Sequence, residues 1–390
     1  MSFDMKSLIN PVVRDIPPSG IRKFFDIAAE MEDAISLGVG EPDFVTPWHI
    51  RDEGIYSLEK GMTYYTSNSG LKELRFEICN YLKRRFSLTY DAMSQVVVTV
   101  GGSEAIDICI RSVVKPGDEV IIPEPCFVCY KPITKLAGGV PVTIETKAKN
   151  DFRLTADELR AAITPKTKLL ILPFPNNPTG GVMSRKDLEE IAEVLRGTDI
   201  VVLSDEIYAE LTYGDDRHCS IANIPEMPER TVLVSGFSKA YAMTGWRLGY
   251  ACGHPDLIKA MTKVHQFGIM SAPTTAQYAA IEALKNGDDD IEMMREEYDM
   301  RRRVIVKGFN DMGLECFEPK GAFYAFPSIQ STGLTSDEFC ENCLREKKVA
   351  VIPGNAFGNS GEGFIRCSYA YSIENINEAL NRIEAFVKHR

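Results

Sequence analysis

Ser235-Gly236-Phe237-Ser238-Lys239-Ala240-Tyr241-Ala242-Met243-Thr244-Gly245-Trp246-Arg247-Leu248-Gly249 closes a strand and opens a loop of small residues. The loop holds one lysine and, eight positions on, an arginine pinned by Gly245 and Trp246. A lysine in a semi-apolar loop gives up its proton readily, because burial disfavours the ammonium form. A neutral amine condenses with a carbonyl to give a Schiff base, and arginine offers a fixed, always-charged fork that suits phosphate. By itself Ser238-Lys239 reads as a surface pair. It gains weight because other apolar strands upstream also run into specialised loops.

Amine and phosphate fork together suggest pyridoxal phosphate, and the other segments supply what that cofactor needs. Its ring nitrogen stays protonated only beside a buried carboxylate. Ile200-Val201-Val202-Leu203-Ser204-Asp205-Glu206-Ile207-Tyr208 reads as a buried parallel strand with Asp205 at its end, where ligands gather in open α/β sheets. Tyr208, three residues on, can reach back to the ring's phenolic oxygen. Taken alone, Asp205 reads first as a cap of the next helix and only second as a site residue.

Lys168-Leu169-Leu170-Ile171-Leu172 leads into Pro173-Phe174-Pro175-Asn176-Asn177-Pro178-Thr179-Gly180-Gly181, a shaped loop that cannot continue the strand. Asn177 there presents an amide to a ring oxygen or a carboxylate, and the Asn177-Pro178 bond is expected to be cis. Gln95-Val96-Val97-Val98-Thr99-Val100 runs into Gly101-Gly102-Ser103-Glu104 and a helical pattern from Ala105 to Val114. Glycines at a helix start leave N–H groups open to an anion, favoured there by the helix dipole. Glu119-Val120-Ile121-Ile122 meets Pro123-Glu124-Pro125-Cys126-Phe127-Val128-Cys129-Tyr130, with Phe127 as a candidate ring to stack on a flat cofactor.

Strand and helix signals alternate from about Val96 to Cys252, the pattern of an α/β fold with a mostly parallel sheet sandwiched by helices. A charged helical pattern from about Asp289 to Met312 then precedes a segment with Gly321, Pro327 and Pro353. The chain has 390 residues, enough for two ordinary domains. A net charge of −11 argues against a nucleic-acid surface, whose footprint is basic. No apolar run reaches a membrane span, and Met1-Ser2-Phe3-Asp4-Met5-Lys6 has no signal-peptide core, so a cytoplasmic location is expected. Of ten cysteines, Cys126/Cys129 and Cys340/Cys343 form C-x-x-C pairs far apart in the chain. Reduced, packed thiols are expected, with no metal.

Together the motifs resemble the fold type I, class I aminotransferases, the aspartate and aromatic aminotransferase family. The likeness covers nearly the whole chain, from Gly38-Val39-Gly40-Glu41-Pro42-Asp43-Phe44 through Tyr64-Tyr65-Thr66 and Gly70-Leu71 to Phe364-Ile365-Arg366-Cys367-Ser368-Tyr369. Gly20-Ile21-Arg22-Lys23-Phe24-Phe25-Asp26 and Lys320-Gly321-Ala322-Phe323-Tyr324 resemble the subgroup of bacterial and archaeal aromatic aminotransferases. The resemblance implies pyridoxal 5′-phosphate held on Lys239, with Asp205 on the ring nitrogen, Tyr208 and Asn177 on the phenolic oxygen, and Phe127 on the ring face. Gly102, Ser103, Ser238 and Arg247 would hold the phosphate. Tyr65 would reach the neighbouring subunit's cofactor, which implies a homodimer with shared sites. Arg366 would clamp the substrate α-carboxylate, with Gly40 and Asn177 lining the same pocket. Gly236 stands where many relatives carry a phosphate-touching serine, and Phe127 replaces a tryptophan common in aspartate enzymes.

By the same resemblance, residues 1–45 form an N-terminal arm and part of a small domain, 46–285 the large cofactor domain, and 286–390 the rest of a small α+β domain. Residues from about Arg14 to Phe25 would lie over the site mouth. The activity implied is ping-pong transfer of an amino group to a 2-oxo acid such as 2-oxoglutarate. His265-Gln266-Phe267-Gly268-Ile269-Met270-Ser271-Ala272-Pro273 offers no arginine for a distal carboxylate, which favours aromatic or large neutral donors. Aspartate, alanine and diaminopimelate-type substrates stay open, as does a C–S lyase on the same fold. A regulator with an aminotransferase-like domain would need an added DNA-binding module, for which the segment before Gly38 is too short.

Overall fold

Unbroken Val/Ile/Leu runs are what strands buried on both faces require, and such runs form the centre of the sheet. The computed structural model describes residues 5–18, 20–21, 31, 33–214 and 217–388. Among them, seven strands make the main sheet: β1 (Val96–Thr99), β2 (Glu119–Glu124), β3 (Val140–Glu145), β4 (Thr167–Leu172), β5 (Val201–Asp205), β6 (Thr231–Gly236) and β7 (Gly249–Cys252). Their order across the sheet is β1-β7-β6-β5-β4-β2-β3. β7 runs antiparallel to both neighbours, and the other pairings are parallel. The exception has a plain cause: no helix lies between β6 and β7, only the loop 237–248, and a parallel return needs a crossover. β1, β2, β4, β5 and β6 therefore end on one edge of the sheet.

Helices cover the sheet because their sequences carry one apolar face and a start signal. Arg185–Leu195 begins in a capping box between Ser184 and Asp187, and buries Leu188, Ile191, Ala192 and Leu195. Burial of each larger side chain contributes about 1.5–3 kcal/mol, so Leu188→Asp would detach this helix. Glycine opens Gly101–Val113 one turn before the apolar run, so this helix starts earlier than the Ala105 expected from the pattern.

A second layer of structure draws on both ends of the chain. Ile35–Ser36 pairs in parallel with Val349–Ala350, and Ile365–Ser368 lies antiparallel between Ile352–Pro353 and Tyr324–Ala325. Helices Asp288–Asp311, Ser336–Lys347 and Ile373–Val387 pack beside them around Phe309, Phe339 and Phe386. Cys340 and Cys343 are fully buried in this core. Burial pushes the Cys343 thiol up to about 12, so it packs as a small apolar group. All ten cysteines are unbridged. Of the expected arm, Ser19 and Arg22–Phe25 lie outside the described residues, and so does Asp26 of the same motif. Among the described residues no helix is long and apolar enough to cross a membrane.

Candidate active site

The strand ends open into a cleft of about 560 Å³. Gly40, Gly102, Ser103, Phe127, Asn177, Asp205, Tyr208, Ser238, Lys239, Arg247 and Arg366 all line it. Tyr65 does not: it is 82% exposed, beside Tyr64 and the segment Ser271–Thr274.

Asp205 ends β5 and is buried. Burial raises its carboxyl to about 6, against hydrogen bonds from the Tyr130 hydroxyl and the Ile207 N–H that favour the ionised form. The Tyr130 bond to Oδ2 is 2.7 Å and the Ile207 bond to Oδ1 is 3.3 Å. Asp205 thus turns its second oxygen to the turn that follows it and caps no helix. A cationic ring nitrogen would restore the charge that burial disfavours.

Lys239 follows β6 and sends Nζ to the Gly40 carbonyl at 2.6 Å. Burial lowers its ammonium to about 8; Glu41 opposes the shift, and Arg366 and Arg247 add to it. The amine is therefore partly neutral near neutral pH, as a nucleophile or base must be.

Among the described residues the helix Gly101–Val113 has no side-chain cap at its start, and Gly102 and Ser103 of its first turn line the cleft. Gly101 has φ +75°, and a Cβ there would stand 2.6 Å from Arg247 Nη2. Glycine lets the guanidinium approach the helix start. Arg247 itself holds φ 54°, an uncommon value for a side-chain-bearing residue and one met at functional turns. Dipole and fork form an anion cradle.

Arg366 comes from Ile365–Ser368 and is 2% exposed. Nη1 donates to Asn177 Oδ1 at 3.0 Å and Nη2 to the Gly38 carbonyl, while Nε is buried without a partner among the described residues. Its Cζ lies 4.6 Å from the Tyr324 ring centroid and 4.7 Å from that of Phe357. A flat cation held between two rings with a spare N–H is suited to a carboxylate. The Asn177-Pro178 bond is cis, as expected.

Residues 32–383 match the family model of class I and II aminotransferases. The chain belongs to that family. It is 56% identical over 383 residues to YugH of Bacillus subtilis (strain 168), named as an aminotransferase with no stated substrate, covering 98% of this chain and 99% of that one. It is 48% identical to an aspartate aminotransferase of Pyrococcus abyssi (strain GE5 / Orsay), over 96% of this chain and 97% of that one. The solved aromatic aminotransferase of Pyrococcus horikoshii OT3 superposes with a TM-score of 0.90 at 45% identity, covering 95% of this chain and 99% of that one. The protein is an aminotransferase, and its fold is that of the family.

Two tyrosines of this aminotransferase's cleft escaped the sequence reading. Tyr130 donates to Asp205, and Tyr324 bonds Tyr208 hydroxyl to hydroxyl at 2.8 Å. Phe127 lies in the loop before the helix Tyr130–Leu136, and the two rings meet edge-on at 6.2 Å, a contact that helical spacing does not foretell. Tyr324 stood in the Lys320–Tyr324 motif, but its role was not legible there, because its partner Tyr208 lies 116 positions away.

Proposed function

We propose that this aminotransferase carries pyridoxal 5′-phosphate and moves the amino group of an aromatic or large neutral amino acid to a 2-oxo acid such as 2-oxoglutarate. One observation carries the reading: an amine, a buried carboxylate and an uncapped helix start beside an arginine fork all line one cleft. Those residue types fit the cofactor's carbonyl, ring nitrogen and phosphate. When bound, it supplies an electron sink that this protein has no other means of providing.

In this proposal Lys239 holds the cofactor and, once displaced by the incoming amino acid, takes the proton from its Cα as general base. Asp205 keeps the ring nitrogen protonated and Tyr130 orients Asp205. Tyr208 and Asn177 donate to the phenolic oxygen, Phe127 covers one ring face, and Gly102, Ser103, Ser238 and Arg247 take the phosphate. Arg366 binds the α-carboxylate in the pocket that Gly40 also lines, so that the Cα–H bond is aimed at Lys239.

The donor preference rests on charge. The cations lining the described cleft are Lys239, Arg247 and Arg366, and each already has a task. Ile21, Val39 and Tyr324 supply apolar lining for a large side chain. Aspartate is the second reading, favoured by the name of the Pyrococcus abyssi relative.

A homodimer belongs to the same proposal, with Tyr65 serving the partner's cofactor. Tyr64 and Tyr65 are 81% and 82% exposed and stand free of this chain's own cleft, where a partner could meet them. So do a cytoplasmic location, in keeping with ten unbridged thiols, and a division into a cofactor domain over 46–285 and a smaller one from 1–45 and 286–390.

The test is an absorbance spectrum of cofactor-loaded protein titrated with single amino acids. A visible band bleached by phenylalanine or tyrosine supports the whole proposal. Bleaching by aspartate alone moves the substrate, and pyruvate with ammonia release moves the reaction to elimination. No band refutes it.

A further inference from the structure

Beyond lining the cleft, Tyr324 has no task in the scheme above, yet it touches three of its parts. Its hydroxyl lies 2.8 Å from that of Tyr208, and both side chains are buried. Its ring lies against the Arg366 guanidinium, 4.6 Å from centroid to Cζ. Its oxygen also fills the space beside Gly40, where a Cβ would stand only 2.5 Å away. Gly40 is the residue whose carbonyl holds Lys239 Nζ. A side chain at 40 would displace the Tyr324 hydroxyl from Tyr208.

Counting protons gives the direction of the tyrosine pair. Each phenol has a single proton to donate. If Tyr208 turns its proton to the cofactor's phenolic oxygen, the contact between the two hydroxyls survives only with Tyr324 as donor. Among the described residues the Tyr324 hydroxyl has no other hydrogen-bond partner, so nothing competes for its proton. A hydroxyl that accepts one bond becomes a better donor of its own.

We infer that Tyr324 is a positioning residue with two tasks: its hydroxyl donates to Tyr208 and strengthens Tyr208 as a donor to the cofactor, and its ring steadies Arg366 against Phe357. The inference rests on the pyridoxal phosphate reading. Losing the Tyr324 hydroxyl weakens Tyr208 as a donor and leaves more negative charge on the phenolic oxygen. That charge holds the neighbouring imine proton more tightly, so the pH midpoint of the cofactor's visible absorbance rises.

The experiment titrates that absorbance against pH in cofactor-loaded wild type, Tyr324→Phe, Tyr208→Phe and the double variant. Tyr324→Phe should raise the midpoint by about half a unit. Tyr208→Phe should raise it further, and adding Tyr324→Phe to that variant should change nothing more, because the route runs through Tyr208. Tyr324→Phe keeps the ring and should leave the donor KM within about twofold, whereas Tyr324→Leu should raise KM about tenfold. An unshifted midpoint in Tyr324→Phe, or the same shift with Tyr208 already replaced, overturns the hydroxyl's task. An unchanged KM in a folded Tyr324→Leu overturns the ring's. A wild type that forms no visible band would instead break the cofactor reading, and this inference with it.

Discussion

The two walls of the cleft are built in opposite ways. On the cofactor wall, Asp205, Lys239, Gly102 and Ser103 each sit at, or within a few residues of, the end of a strand in one sheet. On the substrate wall, Arg366 meets Asn177 across 189 positions and Gly38 across 328, and Tyr324 meets Tyr208 across 116. The first wall is placed by backbone ladders that hold strand ends in register. The second is placed by side chains packed between distant segments, with two rings fixing one guanidinium. A wall hung on a sheet tolerates loss of a side chain without moving, whereas a wall made of mutual side-chain contacts loses several functions at once.

Replacing Lys239 is the harshest way to break this contrast. Lys239→Ala should cut turnover by at least about 10⁴-fold and abolish the visible band, with thermal stability preserved. Near-normal turnover would remove the cofactor wall from the mechanism. Arg366→Ala should lower kcat/KM by about 10²-fold or more, chiefly through KM, while the band remains. It should also cost stability, because Asn177 and the Gly38 carbonyl lose a buried partner. Equal stability losses in the Lys239 and Arg366 variants would erase the difference between the walls.

Asp205 sharpens the comparison through pH. Its carboxyl is raised to about 6, so the native apoprotein binds that proton more tightly than the unfolded chain does. The resulting stability is full below about pH 4. It is lost as pH rises through about 6. Asp205→Asn should flatten that loss, worth about 2–3 kcal/mol at most, in apoprotein melts between pH 4 and 7. It should nonetheless slow the loaded enzyme by about 10²-fold, since a neutral amide cannot hold a ring cation. An unchanged melting profile would mean that Asp205 is better solvated than its burial implies. Tyr65 belongs to neither wall of its own chain, so Tyr65→Phe should have the smallest effect. A fall in cofactor affinity of about fivefold, measured by equilibrium dialysis, is expected with no change in monomer stability. No change at all would remove Tyr65 from the partner's site.

Strands and their ends were readable because burial on both faces leaves an unmistakable local mark. Leu169–Leu172 and Val201–Leu203 are continuous apolar runs; the first is followed at once by Pro173, and the second ends within two residues at Asp205. The antiparallel direction of β7 was hidden within a mostly parallel pattern, since only the missing helix between β6 and β7 betrays it. The task of Tyr130 was not readable, because its partner Asp205 lies 75 positions on. Nor was that of Tyr324: its hydroxyl matters because of Tyr208 and Gly40, and neither lies near it in the chain.

The sequence by itself determined the sheet's strands, the family and the residue types at the site, because hydrophobic runs, turn residues and motif spacing are local properties of the chain. The tertiary structure alone decided which residues share one cleft and what each one faces. It sets Lys239 on the Gly40 carbonyl, Tyr130 on Asp205 and Arg366 between two rings. Those arrangements depend on contacts between separate segments, 75 positions apart for Tyr130 and Asp205 and 199 for Lys239 and Gly40, and on burial that raises the Asp205 carboxyl and lowers the Lys239 ammonium. Neither distance through space nor loss of water is written at any single position of a chain.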